Sequence, residues 1–277
     1  MASYEAEVSA GKRFEFGRNW SRFLVLLDEE RIRTAEDSLR EMLRVEDLVG
    51  RSFLDIGSGS GLFSLAARRL GARVRSFDFD THSVECTEEL KRRYFAQDTS
   101  WTVEAGSVLD ESYMARLGSF DVVYSWGVLH HTGRMWKALE NAAIPVAPSG
   151  QLFISIYNDQ GLRSRLWRGV KRAYASGPAG RAVATVAGGG VIALGALKAD
   201  LARRRNPLSR YVDYRQRRGM SAWHDLVDWL GGYPFEVATP EEIFEFYYGR
   251  GFQLTRLTTD GGGSGTNQFV FSRSAER

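Results

Sequence analysis

The sequence predicts an α/β protein in which a mostly parallel sheet is covered by helices on both faces. Three observations predict this class. Short apolar runs of strand length alternate with segments of helical periodicity between residues 52 and 157. Three closely spaced glycines follow the first run, as at the start of a nucleotide-binding βαβ unit. Two apolar runs near the C-terminus flank the turn GGGSG and predict a late strand pair with an antiparallel member.

Five candidate strands make up the first part of the predicted sheet. They are SFLDI, ARVRSFDF, WTVEAG, FDVVYSW and QLFISIY. The main helical segments among them are LFSLAARRL, HSVECTEELKRRYF and RMWKALENAAIPV. Because strands that alternate with helices are typical of βαβ units, these strands are expected to run parallel.

Composition limits the class of protein further. The chain has 277 residues, of which 43% are apolar and 26% charged, as in ordinary globular proteins. Its single cysteine, Cys86, excludes an internal disulfide framework and a cysteine zinc cluster, and no metal site is predicted. The first residues lack a hydrophobic signal core, so we expect a cytoplasmic enzyme.

The chain is expected to comprise four segments. We predict a helical cap at 1–49, a cofactor-binding core at 50–158, a basic helical insertion at 159–239, and a helix with a β-hairpin at 240–277 that completes the core sheet. Within the cap, Ser21 is expected to begin one helix that runs to about Arg44. The aromatic stretch FEFGRNW, which ends at Trp20, precedes this helix and is expected to close over the cofactor site.

The predicted insertion carries an unusual charge. Fourteen basic and two acidic residues lie between Gln160 and Arg218, a net charge of +12, so the rest of this +3 chain carries −9. Such local charge indicates a local anionic partner. The apolar centre, 182–197, is shorter than the roughly twenty residues of a bilayer span. A packed lid, an interfacial contact with a membrane through 160–205 and a true span remain alternatives, and glycines 188–190 are expected to let the helix bend.

The glycine turn distinguishes between two kinds of nucleotide. Gly57, Gly59 and Gly61 have the spacing G-x-G-x-G, and Leu62 stands where a dinucleotide site has its third glycine. Asp55, just before the turn, is unfavourable beside a diphosphate but suits a cationic amino-acid group. The acid that ends the second strand, Asp78, can accept hydrogen bonds from both hydroxyls of a ribose without a 2′-phosphate.

Four motifs in order resemble the class I S-adenosylmethionine-dependent methyltransferases. They are LDIGSGSG, FDFD, EAGSVLD and FDVVYSWGVLHHTG, and the resemblance runs from about Gly50 to Tyr157 and resumes in the final hairpin. The nearest likeness is to the ubiquinone-biosynthesis type of small-molecule methyltransferase. The resemblance implies a doubly wound, Rossmann-like sheet of seven strands with the last one antiparallel, and S-adenosylmethionine as the cofactor.

The resemblance and the predicted cap together assign a set of cofactor-binding residues. These are Trp20, Asp55, Gly57, Ser58, Gly59, Gly61, Asp78, Phe79, Ser107, Val108, Ser125 and Trp126. Ser107 stands where the family often has an acid that contacts the adenine amine, so the backbone of Ser107 and Val108 is expected to make that contact instead. Asp80 would join the site only if the second strand continued. The alternative is that Asp55 and Asp78 merely end buried strands.

Catalytic candidates follow from the chemistry of methyl transfer. An in-line displacement at a sulfonium needs alignment, and a hydroxyl acceptor also needs a base, for which histidine is suited at neutral pH. His130 and His131 lead, with Tyr157 next; one histidine could instead only hold the loop. His82 is expected at the surface or in a helix cap, and His224 is expected to be structural.

We therefore predict methyl transfer to a small molecule or to a glyco- or lipid-conjugated acceptor, most simply at oxygen. One alternative is an RNA or protein methyltransferase that grips its substrate through the basic insertion. The other is a cofactor-sensing module without catalysis. The sequence does not name the acceptor.

Overall fold

The computed structural model describes residues 4–10, 13, 17–202, 230–260 and 265–274. Contacts divide the chain into two compact units. The larger unit comprises Gly17–Ser164 and Glu236–Arg277, and the smaller comprises Met1–Phe16 and Arg165–Phe235.

Helices and strands alternate through most of the described chain. The strands are β1 (Ser52–Ile56), β2 (Arg73–Asp78), β3 (Trp101–Ala105), β4 (Phe120–Trp126), β5 (Val146–Tyr157), β6 (Phe252–Thr258) and β7 (Thr266–Arg273). The helices are α1 (Tyr4–Ser9), α2 (Gly17–Leu26), α3 (Glu29–Leu43), α4 (Leu62–Arg69), α5 (Thr81–Phe95), α6 (Glu111–Arg116), α7 (Met135–Ala143), α8 (Leu162–Ala175), α9 (Pro178–Ala202) and α10 (Pro240–Tyr248). A single 3₁₀ turn, Leu129–His131, follows β4.

The larger unit is built on one sheet of seven strands in the order β3-β2-β1-β4-β5-β7-β6. The pairs among β1 to β5 are parallel, and β7 runs antiparallel between β5 and β6. The order reverses at β1, so α4 and α7 cover opposite faces, as in a doubly wound sheet. This confirms the predicted fold class, including the late antiparallel strand.

Two apolar layers hold the sheet between its helices. Successive residues of a strand point to opposite faces, and β1 shows this alternation. Phe53 packs in the layer with α3, α4 and α5, whereas Leu54 and Ile56 pack in the layer with α7 and α10. All three side chains are fully buried, so both faces of the central strand exclude water.

The prediction of one N-terminal helix from Ser21 to about Arg44 is wrong. The chain forms α2 and α3 with a break between them at Asp28. The Asp28 side chain accepts a hydrogen bond from the backbone N–H of Arg31 at 2.9 Å, and so begins a new helix. The periodic apolar pattern continues across the break, so the pattern alone does not reveal that the helix ends there.

Within the smaller unit, α8 and α9 pack closely. A β-carbon at Gly188 would lie 2.7 Å from Leu230 and 3.2 Å from Val170, so glycine permits this approach. The helix α9 is continuous through the three glycines, where we expected it to bend. Among the described residues, no helix is both long enough and apolar enough to cross a membrane.

Candidate functional site

The glycine turn forms where β1 ends and α4 begins. Gly57, Gly59 and Gly61 have φ angles of 77°, 56° and 80°, in the left-handed region that glycine adopts without strain. The backbone N–H of Gly57 donates to the Phe77 carbonyl at 2.8 Å, and Ser58 donates to the same oxygen at 3.1 Å. The turn is therefore tied to the end of β2.

Asp78 lies at the carboxyl end of β2, beside this turn. Its Oδ2 accepts a hydrogen bond from the backbone N–H of Gly59 and its Oδ1 accepts one from Asp80, both at 2.9 Å. Burial raises the pKa of Asp78 to about 6. Each carboxylate oxygen retains a lone pair, so the group can accept further hydrogen bonds from hydroxyl donors.

Asp80 serves two helices rather than continuing the strand. The strand β2 ends at Asp78, so the condition set for Asp80 is not met. Its side chain instead caps α5 by accepting from the His82 N–H at 3.0 Å. It also accepts from the backbone N–H of Gly17 at 2.7 Å, which fixes the start of α2.

Through that contact, α2 brings Trp20 onto the glycine turn. A β-carbon built on Gly59 would lie 3.1 Å from both Cε2 and Nε1 of Trp20. The indole is only partly buried, so one part of it covers the turn and another remains accessible. The structure thus brings together Trp20 and Gly59, which lie far apart in the sequence.

Asp55 has a different setting. Its carboxylate accepts a hydrogen bond from the Ser64 hydroxyl of α4, and Ser64 also contacts the Ser76 hydroxyl at 2.7 Å. Ser76 in turn accepts from the indole N–H of Trp101 at 2.9 Å. Asp55 is almost completely buried, and burial raises its pKa to about 7. The carboxylate therefore has a partner inside the protein, and its contact with a cofactor remains a prediction.

The remaining predicted cofactor residues lie around the carboxyl ends of the central strands. Ser58 is buried against Thr87, with its hydroxyl 2.9 Å from the threonine hydroxyl. The half-buried Phe79 follows Asp78 directly. Gly106 N–H donates to the Asp78 carbonyl at 2.9 Å, which holds the next residue, Ser107, near the end of β2.

Val108, Ser125 and Trp126 differ in how accessible they are. Val108 is buried, and its carbonyl accepts from the Asn141 amide at 2.8 Å. Ser125 is fully buried and its hydroxyl donates to the Ile56 carbonyl at 3.0 Å, so this hydroxyl is used within the sheet. Trp126, at the end of β4, is 43% exposed.

The three catalytic candidates form one cluster. The ring centroids of His130 and Tyr157 are 4.3 Å apart, those of the two histidines 4.5 Å, and those of His131 and Tyr157 5.6 Å. His130 is fully buried, whereas His131 and Tyr157 are half-buried. Burial raises the pKa of the Tyr157 phenol, which is therefore protonated at neutral pH.

The 3₁₀ turn connects this cluster to the glycine turn. A β-carbon at Gly57 would lie 2.5 Å from Val128 Cγ1, so the loop after β4 packs directly on the turn. The backbone N–H of His131 donates to the Val128 carbonyl at 2.9 Å. Val128 thus contacts the glycine turn and also anchors His131. This is the carboxyl edge of the sheet, where ligands of doubly wound folds bind.

A sequence profile of a methyltransferase domain family matches residues 27–183. This range covers more than half of the chain and includes the glycine turn, Asp78 and the histidine cluster. The chain belongs to this methyltransferase domain family. The prediction of a class I S-adenosylmethionine-dependent methyltransferase is confirmed.

Two groups of curated methyltransferases are similar to part of the chain. A ubiquinone biosynthesis O-methyltransferase from Cupriavidus pinatubonensis is 30% identical over 115 residues, which are 41% of this chain and 44% of that enzyme. A tRNA U34 carboxymethyltransferase from Methylococcus capsulatus is 31% identical over 123 residues, 44% of this chain and 37% of that enzyme. The match thus spans less than half the length of either relative.

A solved methyltransferase structure has a similar fold. The magnesium protoporphyrin IX methyltransferase from Synechocystis, crystallised with S-adenosylhomocysteine, superposes with a TM-score of 0.53 at 15% identity. The superposition covers 88% of this chain and 83% of that one. At this identity the likeness concerns the fold.

The residues of this methyltransferase-family chain fit S-adenosylmethionine. Three glycines at positive φ leave the turn without β-carbons, and Val128 and Trp20 pack into that space at Gly57 and Gly59, so the turn and its cover are closely fitted. The Asp78 carboxylate beside the turn is a hydrogen-bond acceptor, the kind of group that binding of ribose hydroxyls requires. Trp20 lies against Gly59, and Ser107 follows Gly106, whose N–H donates to the Asp78 carbonyl.

Sequence reasoning missed two residues that build the site. In the sequence, Val128 is only one apolar residue of a loop, although in the structure it contacts the glycine turn. Glu236 returns to the loop from a distant part of the chain: its N–H donates to the His130 carbonyl at 3.0 Å, and its carboxylate accepts from the Met135 N–H at 3.0 Å. No local pattern marks either contact.

Of the two remaining histidines, one lies within the described residues and the other does not. His82 lies near the start of α5 with its side chain 46% exposed, 3.3 Å from Glu85, as expected of a surface residue. His224 lies outside the described residues, as do the seven basic residues from Arg203 to Arg218.

Proposed function

We propose that this protein transfers the methyl group of S-adenosylmethionine to a hydroxyl group of a small-molecule acceptor. The observation that carries the proposal is the packing of the His131 loop on the glycine turn through Val128. It supports the proposal because the loop that carries a candidate base adjoins the candidate cofactor site. S-adenosylmethionine, when bound, supplies an activated methyl group on a sulfonium.

In this proposal the residues around the turn hold the cofactor. Asp78 accepts hydrogen bonds from the ribose hydroxyls with the lone pairs that Gly59 and Asp80 leave available. The indole of Trp20 covers Gly59 and excludes water from that side. The backbone of Ser107 and Val108 contacts the adenine, and Trp126 borders the methionyl part.

His131 is the proposed general base. It is half-buried and so can reach an acceptor, whereas His130 is fully buried and its backbone is held by Glu236. A neutral imidazole accepts the proton of the acceptor hydroxyl as the new oxygen–methyl bond forms. The protonated phenol of Tyr157 can donate a hydrogen bond to the acceptor oxygen, which orients it.

The choice of acceptor rests on chemistry and on the relatives. The curated ubiquinone biosynthesis O-methyltransferase is named for methylation at oxygen, the reaction for which a base is needed. A glyco- or lipid-conjugated acceptor is compatible with the same site. The second candidate is an RNA substrate, favoured by the similarity to the tRNA U34 carboxymethyltransferase and by the basic insertion.

The deciding experiment uses cofactor with an isotopically labelled methyl group. The full chain is incubated with small-molecule extracts and, separately, with total tRNA, and labelled products are identified by mass spectrometry. A labelled methyl ether together with S-adenosylhomocysteine supports the proposal. Label found only in tRNA establishes the second candidate instead. Calorimetry that detects no binding of S-adenosylmethionine or S-adenosylhomocysteine would overturn both.

A further inference from the structure

A short segment of the larger unit, residues 236–238, connects the two parts of the histidine–tyrosine cluster. We call it the bridging segment. The backbone N–H of Glu236 donates to the His130 carbonyl at 3.0 Å. Two residues further on, the backbone N–H of Ala238 donates to the Tyr157 carbonyl at 3.1 Å. The bridging segment therefore ties the 3₁₀ turn to the end of β5.

The last residue of the bridging segment is firmly held. Ala238 is buried, forms a parallel β-bridge with Asn158, and accepts at its carbonyl from the Asp159 N–H at 3.1 Å. Directly after it, the Thr239 hydroxyl accepts from the Glu242 N–H at 3.2 Å, and the Glu242 carboxylate accepts from the Thr239 N–H at 2.8 Å. Such a reciprocal cap satisfies two backbone donors at the start of α10. The segment thus has one well-fixed end.

The side chain of Glu236 makes a second contact with the histidine loop. Its Oε2 accepts from the backbone N–H of Met135, the first residue of α7, at 3.0 Å. The residue before this helix is Arg134, whose side chain has no acceptor atom and so cannot cap the helix. A carboxylate also suits the positive end of the helix dipole. Glu236 therefore supplies a cap that the N-cap residue cannot provide.

These contacts hold the loop on both sides of the candidate base. The N–H of Glu236 bonds the loop at His130, and its carboxylate bonds the loop at Met135. His131 lies between these two points, and its own N–H donates to the Val128 carbonyl. A loop held at three points keeps its side chains in a defined place, which a reacting group requires.

We propose that Glu236 is a positioning residue that fixes the place of the His131 imidazole through the loop it holds. The inference rests on the proposed function, in which His131 is the general base. In this role the carboxylate of Glu236 acts by its hydrogen bond to the Met135 N–H. A displacement of about 1 Å in a reacting group can lower a rate about a hundredfold, so such a contact matters for catalysis.

Two substitutions separate the hydrogen bond of Glu236 from its charge. Glu236→Gln keeps an oxygen that can accept from the Met135 N–H but removes the charge, whereas Glu236→Ala removes both. The matched control is Asp28→Ala, which also deletes a carboxylate that caps a helix. The neighbour of Asp28, Glu29, pairs with Arg69 at the opposite end of α4 from the glycine turn. The control should therefore cost stability without disturbing the histidines.

The first measurement needs no methyl transfer. The imidazole C–H signals of the four histidines are recorded by NMR, and the signal of His131 is identified by its loss in His131→Asn. We expect this signal to shift or broaden in Glu236→Ala and to keep its wild-type position in Glu236→Gln and Asp28→Ala. Equal shifts in both Glu236 variants would assign the effect to charge and overturn the inference, as would a wild-type signal in Glu236→Ala.

The second measurement uses the methylated acceptor. In Glu236→Ala, kcat should fall roughly 10–100-fold, while the dissociation constant of S-adenosylhomocysteine stays as in the wild type. Glu236→Gln should restore most of the lost kcat because its amide oxygen replaces the acceptor. Should Glu236→Ala fail to fold, Glu236→Asp takes its place: it keeps the charge but is one methylene shorter, and should behave like the alanine variant.

Together the two measurements distinguish failure of the inference from failure of the proposed function. If the His131 signal moves only in Glu236→Ala but no acceptor hydroxyl is methylated, Glu236 holds His131 as inferred and the proposed reaction is wrong. If an acceptor is methylated and Glu236→Ala keeps the wild-type kcat, the positioning role is overturned and the proposed reaction stands. A shifted signal together with a lowered kcat, both restored by Glu236→Gln, supports the inference.

Discussion

The indole of Trp20 lies so close to Gly59 that a β-carbon on the glycine would be 3.1 Å from two of its ring atoms. The N-terminal helix and the glycine turn are therefore fitted to each other. A change in either residue should be felt by the other, and both should be felt by the cofactor.

A double-mutant cycle tests this relationship. Gly59→Ala forces a β-carbon against the indole at a left-handed φ of 56°, and should lower the free energy of unfolding by roughly 1–3 kcal/mol. In a Trp20→Ala background the steric part of this cost should vanish while the backbone part remains. Chemical denaturation measures both. Strictly additive effects would show that the two residues do not interact.

Asp78 should determine both the strength and the pH dependence of cofactor binding. Asp78→Asn should weaken binding of S-adenosylhomocysteine by roughly 1–3 kcal/mol, because a charged acceptor of ribose hydroxyls is lost. The free carboxyl has a pKa of about 6, and hydroxyl donors favour its ionised form. Wild-type affinity should therefore fall as the pH drops through 6.

Calorimetry at several pH values checks this, with Asp121→Asn as a control, because Asp121 lies near the amino ends of β1 and β4, where it accepts from Ser52. The asparagine of Asp78→Asn cannot titrate. The affinity of this variant should therefore not depend on pH between about pH 5 and pH 7, the range around the raised pKa. Equal affinity of this variant and the wild type would remove Asp78 from the ribose site.

The two histidines should differ in their effects on catalysis. His131→Asn should lower kcat roughly 10²–10⁴-fold with unchanged cofactor affinity, since a general base acts only on the acceptor. The exposed His82→Asn is the matched control and should retain full activity. Steady-state kinetics with the identified acceptor decide the role. If His131→Asn keeps wild-type kcat, the base is another group.

Asp55 should make the stability of the fold depend on pH. Burial raises its pKa from 3.8 to about 7. Between pH 3.8 and about 7, the carboxyl is therefore protonated in the folded state and ionised in the unfolded state. Because the folded state binds the proton more tightly, the free energy of unfolding is highest below pH 3.8 and falls as the pH rises towards 7.

Asp55→Asn cannot titrate, so the variant should gain stability relative to the wild type as the pH rises from about 4 to 8, by at most about 4 kcal/mol. Urea unfolding at several pH values measures the difference. Ser64→Ala removes the hydrogen-bond partner of Asp55 but leaves the carboxyl, and should keep the pH dependence. Parallel curves for Asp55→Asn and the wild type would contradict this account.

The sequence by itself determined the class of fold and indicated where the candidate site lies. Alternating strands and helices, the glycine spacing and the acid at the end of β2 are local patterns, and each depends on residues close together in the chain. The positions of Gly57, Gly59 and Gly61 at left-handed φ values follow directly from such a pattern.

Only the tertiary structure decided which of the local candidates face one another. Asp55 lies beside the turn in sequence, yet the alternation of β1 directs its carboxylate to Ser64 of α4. His130 and His131 are adjacent, yet packing buries one fully and leaves the other half-buried. Trp20 and Glu236 reach the site from distant parts of the chain. Contacts of this kind depend on how helices and loops pack on the sheet, and local periodicity does not encode that packing.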